Sequence, residues 1–209
     1  MVNWSLIKSQ RSMVGCVVTL GLMVLASCQV PNPIQVDASF VVSPALSANG
    51  PTVLAVLPIE DGTAAGSVGR HLTFLRQEVN RQLIDRGYSS TTESWVDASQ
   101  LGAAPVGESI LTPNRLLALA KGTRDDAVLA IRIEKWDEDL LLADRRVRFR
   151  IAAAMVGNDG SQLWSGSMQG SVKAGGDGAA PPGLDASARS CAELVTRELL
   201  MRLPDRIVR

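Results

Sequence analysis

The residues that could do chemistry in this chain are few and scattered. His71 is the only histidine, and Cys191 is the one cysteine far from the N-terminus. Nucleophilic catalysis needs a base at the nucleophile and an acid that orients the base. His71 precedes the apolar Leu72 in a helical pattern and is expected at the surface. Gly166-Ser167-Met168-Gln169-Gly170 has the outer glycines of a nucleophile elbow but not its inner spacing, and it sits in a strand pattern. Asp137-Glu138-Asp139 would put two carboxylates on one face only in extended backbone, and reads as a solvated turn. The stretch Glu60–Gly66 links a strand to a helix, where α/β sheets bind ligands and helix N-termini attract anions. Yet Gly62, Gly66 and Gly69 miss the dinucleotide spacing, no Gly-Lys-Ser/Thr occurs, and Glu60 and Asp61 would repel phosphate. A Cys/His metal site is excluded by the count of each. The expectation is no catalytic residue, no metal and no cofactor.

Binding is the better-supported chemistry. Arg146, Arg148 and Arg150 alternate along a strand pattern and make a basic ladder on one face. It suits an acidic partner, an anionic glycan or a neighbouring subunit, or is simply a solvated face. Trp136 ends its strand beside the acidic turn and is the surface aromatic candidate. Trp164 shares a face with Gly166 and Met168, as a core residue does. Trp136, Arg146, Arg148 and Arg150 are therefore the candidate interface residues. Cys191 lies on an apolar helical stripe and reads as an inert core thiol.

The N-terminus carries a different chemistry. Lys8 and Arg11 precede an apolar run from Met13 to Leu25, then Ala26, Ser27 and Cys28. That is the charged, apolar and small-residue order of a secretory signal, and about 13 apolar residues fall short of the roughly 20 a spanning helix needs. Leu25-Ala26-Ser27-Cys28 resembles a bacterial lipobox. The resemblance implies cleavage between Ser27 and Cys28 and lipid, palmitate included, on the Cys28 sulfur and amino group. Gln29, rather than Asp, then implies sorting to the outer membrane, on its periplasmic face. Two basic residues and no acidic ones leave with residues 1–27, so 19 basic face 21 acidic residues, a formal charge of −2. That leaves no electrostatic footprint for nucleic acid. Cys16 leaves too, and Cys191 alone can form no intrachain disulfide.

The elements that must position these residues follow from pattern. Residues 28–52 hold Pro31, Pro33, Pro44, Gly50 and Pro51 and are expected to be a flexible tether after the lipidated cysteine; the small apolar island Phe40-Val41-Val42 could dock as an edge strand but reads better as tether. Residues 53–209 are expected to be the folded domain. Val53–Leu57 is a continuous apolar strand ended by Pro58. Val68, Leu72, Leu75, Val79 and Leu83 mark a helix, and Gly87 suits its C′ position. Tyr88–Thr92 is a second strand. A loop with a turn of helix near Val96–Leu101 leads to Thr112 and Pro113, a cap and first position for a helix ended by Gly122. Asp126–Trp136 and Arg146–Val156 are strands, and Asn158-Asp159-Gly160 turns the second into a third that runs on to Lys173. Asp185 caps a last helix carrying Ala188, Cys191, Val195 and Leu199. The order β-α-β-α-β-β-β-α predicts an α/β (α+β) fold with a mixed sheet, parallel strands first and an antiparallel meander after, and helices packed on it.

Taken in order, Val53-Leu54-Ala55-Val56-Leu57-Pro58, Arg86-Gly87-Tyr88, Asp126-Ala127-Val128-Leu129, Trp136 and Asp159-Gly160 to Leu163-Trp164-Ser165-Gly166 resemble Gram-negative lipoproteins whose domain is like the N-terminal domain of TolB and like CsgG. The first loop, Ile59-Glu60-Asp61-Gly62, and Arg124-Asp125 depart from one close subgroup. The resemblance implies a non-enzymatic, membrane-attached part of an envelope transport or secretion complex, with envelope proteins or further copies as partners. Its alternative implication is a lipoprotein that activates a peptidoglycan synthase.

Overall fold

A computed structural model describes residues 34–63, 68–100, 108–175, 179 and 181–206. These belong to the unit Asn32–Arg209. The signal and the Ser27/Cys28 cleavage and lipidation site lie outside the described residues.

The chain runs β1 (Ile34–Val42), α1 (Pro44–Asn49), β2 (Val53–Val56), β3 (Glu60–Asp61), a short 3₁₀ turn at Gly69–His71, and α2 (Leu72–Asp85). It continues through β4 (Ser89–Ser90), α3 (Glu93–Gln100), α4 (Pro113–Gly122), β5 (Ala127–Asp137) and α5 (Leu141–Asp144). The last elements are β6 (Arg146–Gly157), β7 (Gln162–Lys173) and α6 (Leu184–Leu200). One seven-stranded sheet has the order β1-β7-β6-β5-β2-β4, with β3 also pairing β5. β2 is parallel to β4 and β5, whereas β5, β6, β7 and β1 pair antiparallel. The mixed α/β sheet read from the sequence is thus the observed architecture.

Helices cover the sheet unequally. On one face, Leu75, Val79 and Leu83 of α2 and Ala188, Cys191, Val195 and Leu199 of α6 pack on Leu129, Ile131, Phe149, Met155, Trp164 and Met168. On the other, Val96 of α3 and Leu116, Leu119 and Ala120 of α4 cover only Ala55, Leu57, Val128, Ala130, Ala154 and Val156. Alternation along β5 and β6 divides these two cores.

Side-chain hydrogen bonds from Arg76 and to Asp126 lock the parallel half. Pro58 has no N–H, and the strand pairing to β5 lapses there between β2 and β3. The Val56 carbonyl just before it accepts from Arg76 Nε at 3.1 Å and Nη2 at 2.6 Å, while Arg76 Nη1 meets Asp97 at 2.7 Å. Asp126 Oδ2 accepts from the backbone N–H groups of Thr52 and Val53, at 2.8 and 3.0 Å, and so fixes the start of β2 against β5.

Several expectations are corrected. The stretch 34–49, assigned to a tether, is β1 and α1. β1 pairs β7 along its whole length, Ile34 opposite Val172 through Val42 opposite Trp164. Phe40 stacks on Trp164 with ring centroids 5.7 Å apart. The room comes from Gly166 and Gly170: a Cβ on Gly166 would sit 2.1 Å from the Phe40 ring, and one on Gly170 would sit 1.9 Å from the Gln35 carbonyl oxygen. Glu60–Asp61 is a strand rather than a loop: its backbone pairs β5 in parallel, and Arg132 of β5 adds an ion pair to Glu60 at 2.8 Å. Asp185 lies in the first turn of α6, not at its cap, and reaches Arg70 at 3.4 Å. Thr112 stands at the N-cap of α4 without a capping side-chain bond.

Candidate functional site

The Arg ladder lies on the part of the sheet that α3 and α4 leave open. Pairing stacks β6 against β7 and β1, with Arg148 opposite Ser171, Arg150 opposite Gln169, and Gln169 opposite Asp37. The antiparallel neighbour on the other side adds Lys135 opposite Arg150 and Asp137 opposite Arg148, after a bulge between Ile133 and Lys135. Gln35, Asp37, Ser39, Glu134, Lys135, Arg148, Arg150, Ser167 and Gln169 are all exposed. This is a flat, polar strip four strands wide.

Its groups are tied to one another. Arg148 Nε lies 3.3 Å from Asp137 Oδ2, and Lys135 Nζ lies 3.9 Å from the same oxygen. Arg150 Nε donates to Gln169 Oε1 at 3.1 Å, and Gln169 Nε2 donates to Asp37 Oδ2 at 3.5 Å. Arg146 Nη1 donates to Ser171 Oγ at 2.9 Å. Two shallow grooves meet at Arg150, one along Gln35, Lys135 and Arg148 and the other along Ser39, Glu134 and Ser167, with Asp37 and Gln169 common to both. The side chains of Arg148 and Lys135 stay about half exposed in these pairs. The strip therefore offers guanidinium N–H donors to carboxylate or phosphate oxygens, which Arg binds bidentately.

Trp136, expected with the arginines at the surface, is not there. The bulge after Ile133 turns Trp136 to the opposite face, opposite Phe149, where it is 3% exposed in the main core. Its indole N–H donates to Glu138 Oε1 at 2.8 Å. The same oxygen lies 3.1 Å from His71 Nε2, and Arg70 Nη2 closes on Glu138 Oε2. His71 is buried rather than at the surface. Its Nε2 also sits 3.0 Å from Arg70 Nε, and one ring nitrogen serves one partner at a time: without a hydrogen it accepts from Arg70, and as Nε2–H it donates to Glu138. Glu138 is thus a structural hub and not part of a solvated acidic turn. Sequence pattern missed it, although a lone histidine and a tryptophan N–H both needed partners.

The described contacts of His71 include no hydroxyl or thiol. Cys191 is buried between β7 and α6, and burial pushes its thiol up to about 12, far from a thiolate. Among the described residues, no three of His, Cys, Asp and Glu could hold a metal ion. No described helix is long and apolar enough to cross a membrane.

The fold is of the α/β class, a mixed sheet with helices packed on it and one polar strip that α3 and α4 leave open. No family model and no curated protein sequence matches the chain. Solved structures with a similar trace include the PelC dodecamer of Paraburkholderia phytofirmans, at 15% identity over 83% of this chain and 100% of that one, TM-score 0.48. Lipoprotein GNA1162 of Neisseria meningitidis is 20% identical over 73% of this chain and 99% of that one, TM-score 0.46. The LpoB C-terminal domain of Escherichia coli is 18% identical over 61% of this chain and 89% of that one, TM-score 0.35. These are likenesses of chain trace.

Proposed function

We propose that this chain is a non-enzymatic lipoprotein, anchored through Cys28 at the periplasmic face of the outer membrane. There it acts as a structural or accessory component of an envelope transport or secretion complex. The observation that carries the reading is the uncovered sheet strip with Arg148 and Arg150, in a fold that begins only six residues after Cys28. Six residues span at most about 21 Å at about 3.5 Å each. The strip is therefore held near the membrane surface, presented to neighbours there. The open strip offers N–H donors, and among the described residues His71 has no hydroxyl or thiol contact and Cys191 is a buried thiol, which supports recognition over catalysis.

The alternative reading, activation of a peptidoglycan synthase across the periplasm, needs reach. A tether through residue 52 would have supplied it, but β1 and α1 take up most of that stretch. The short reach supports the first reading over the second.

The test is extraction of the lipidated chain from its own membrane with a mild detergent, followed by native size and identification of whatever accompanies it. The reading predicts an assembly larger than one chain that loses its partner in the Arg148→Glu/Arg150→Glu variant. A single chain without companions contradicts it.

A further inference from the structure

We infer that β1 is a self-pairing edge, through which a second copy of this chain continues the sheet antiparallel across a two-fold axis at Ala38. The inference rests on the reading above, that the chain works by assembly at the membrane, and names one surface and one partner for it.

Edge strands in soluble proteins are normally blunted by lysine, proline, a bulge or shortness. β1 has none of these. It is nine residues long, pairs β7 without a register shift, and contains no Lys, Arg or Pro. Asp37 is its sole charge. Val41 is 63% exposed and Val42 40% exposed, so the strand also shows apolar surface. Among the described residues, β1 ends the sheet.

The ladder fixes which peptide groups face outward. Ser43 N–H donates to the Leu163 carbonyl at 2.8 Å, which makes that facing pair a hydrogen-bonded one. Antiparallel pairs alternate, so Val41, Ser39, Asp37 and Gln35 bond to β7. The peptide groups of Val36, Ala38 and Phe40 then point away from it. Any antiparallel partner must bond to these three. A two-fold axis at Ala38, the midpoint of the strand, sets Ala38 against Ala38 of the second copy and Val36 against Phe40 of the second copy, all outward-bonding. It pairs Val36 through Phe40 symmetrically. It also sets Asp37 opposite Ser39 of the second copy. An axis at Asp37 would instead oppose two carboxylates, which is unfavourable.

The anchor is compatible with this arrangement. In the pair the two Ile34 residues lie about 27 Å apart, eight residues at about 3.4 Å each. Each follows its own Cys28 by six residues, so two lipids can reach one membrane with the paired strands lying along it. Confinement to that plane raises the effective concentration of the edges.

The test is oxidative cross-linking of the full chain in its membrane, with Ala38→Cys as probe. The inference predicts a covalent dimer, since facing Cα atoms about 5.5 Å apart suit a disulfide. Asp37→Cys or Ser39→Cys alone should cross-link far less, and the two mixed should cross-link well. In the Ala38→Cys background, Ser39→Lys faces Asp37 of the second copy and should raise dimer yield, while Ser39→Asp should lower it, about fivefold between them. Equal cross-linking at positions 37, 38 and 39, or the same response to both Ser39 variants, overturns the inference. If no dimer forms but an envelope protein still copurifies, the edge inference fails and the assembly reading stands. If neither is found, both fail.

Discussion

At the scale of residues, buried charges hold this fold more than they serve a reaction. Arg76 is 6% exposed and holds both the Val56 carbonyl and Asp97. Arg76→Met should cost about 2–3 kcal/mol in urea unfolding, because it leaves a buried carbonyl unpaired. Glu78 on α2 is pushed up by burial, but hydrogen bonds from Arg81 and Gln82 outweigh this and hold its carboxyl below its ordinary value. A lowered carboxyl adds stability above the unfolded-state value near 4.3, and that stability is lost as pH falls through the folded value. The gap between the native chain and Glu78→Gln should therefore be about 1 kcal/mol at pH 7 and shrink as pH falls below about 4. A constant gap across that range would refute the assignment. Trp164 and Cys191 were readable as core residues from their stripes. Trp136 and His71 were not, since a one-residue bulge reverses a face and a hydrogen-bonded hub leaves no periodic mark.

At the scale of elements, alternation and helical spacing were enough for the strands β2, β4, β5, β6 and β7 and the helices α2, α4 and α6. β1 escaped because prolines surround it and its residues alternate weakly. Its signature lay elsewhere, in Gly166 and Gly170 of β7, spaced four apart among large core residues. Only a backbone or ring packed against those positions explains the missing side chains. Gly170→Ala should drive a Cβ into the Gln35 carbonyl and detach the start of β1, which hydrogen exchange would read as lost protection over residues 34–42. Overpacking of this kind costs typically 1–3 kcal/mol. Unchanged protection would mean that β1 does not pair there. Helix α4 reaches only the end of the sheet near Ala154 and Val156, and that partial cover is what leaves the Arg148–Arg150 strip open.

At the scale of the whole molecule, the proposed anchor Cys28 stands six residues before β1 in the sequence, and the sheet places its cation-bearing face outward. Cys28→Ala should leave folding unchanged and move the chain from the membrane fraction to the soluble one, with loss of palmitate labelling. Retention of label would contradict the anchor. The arginine strip was legible as a face from alternation alone, while its partners Asp37 and Gln169 could be joined to it only once β1 was known to pair. The most direct measurement of the central claim is the native mass of the lipidated chain extracted from its membrane, compared with the Arg148→Glu/Arg150→Glu variant. An assembly is expected in the first case and loss of a companion in the second. A lone chain in both would contradict it.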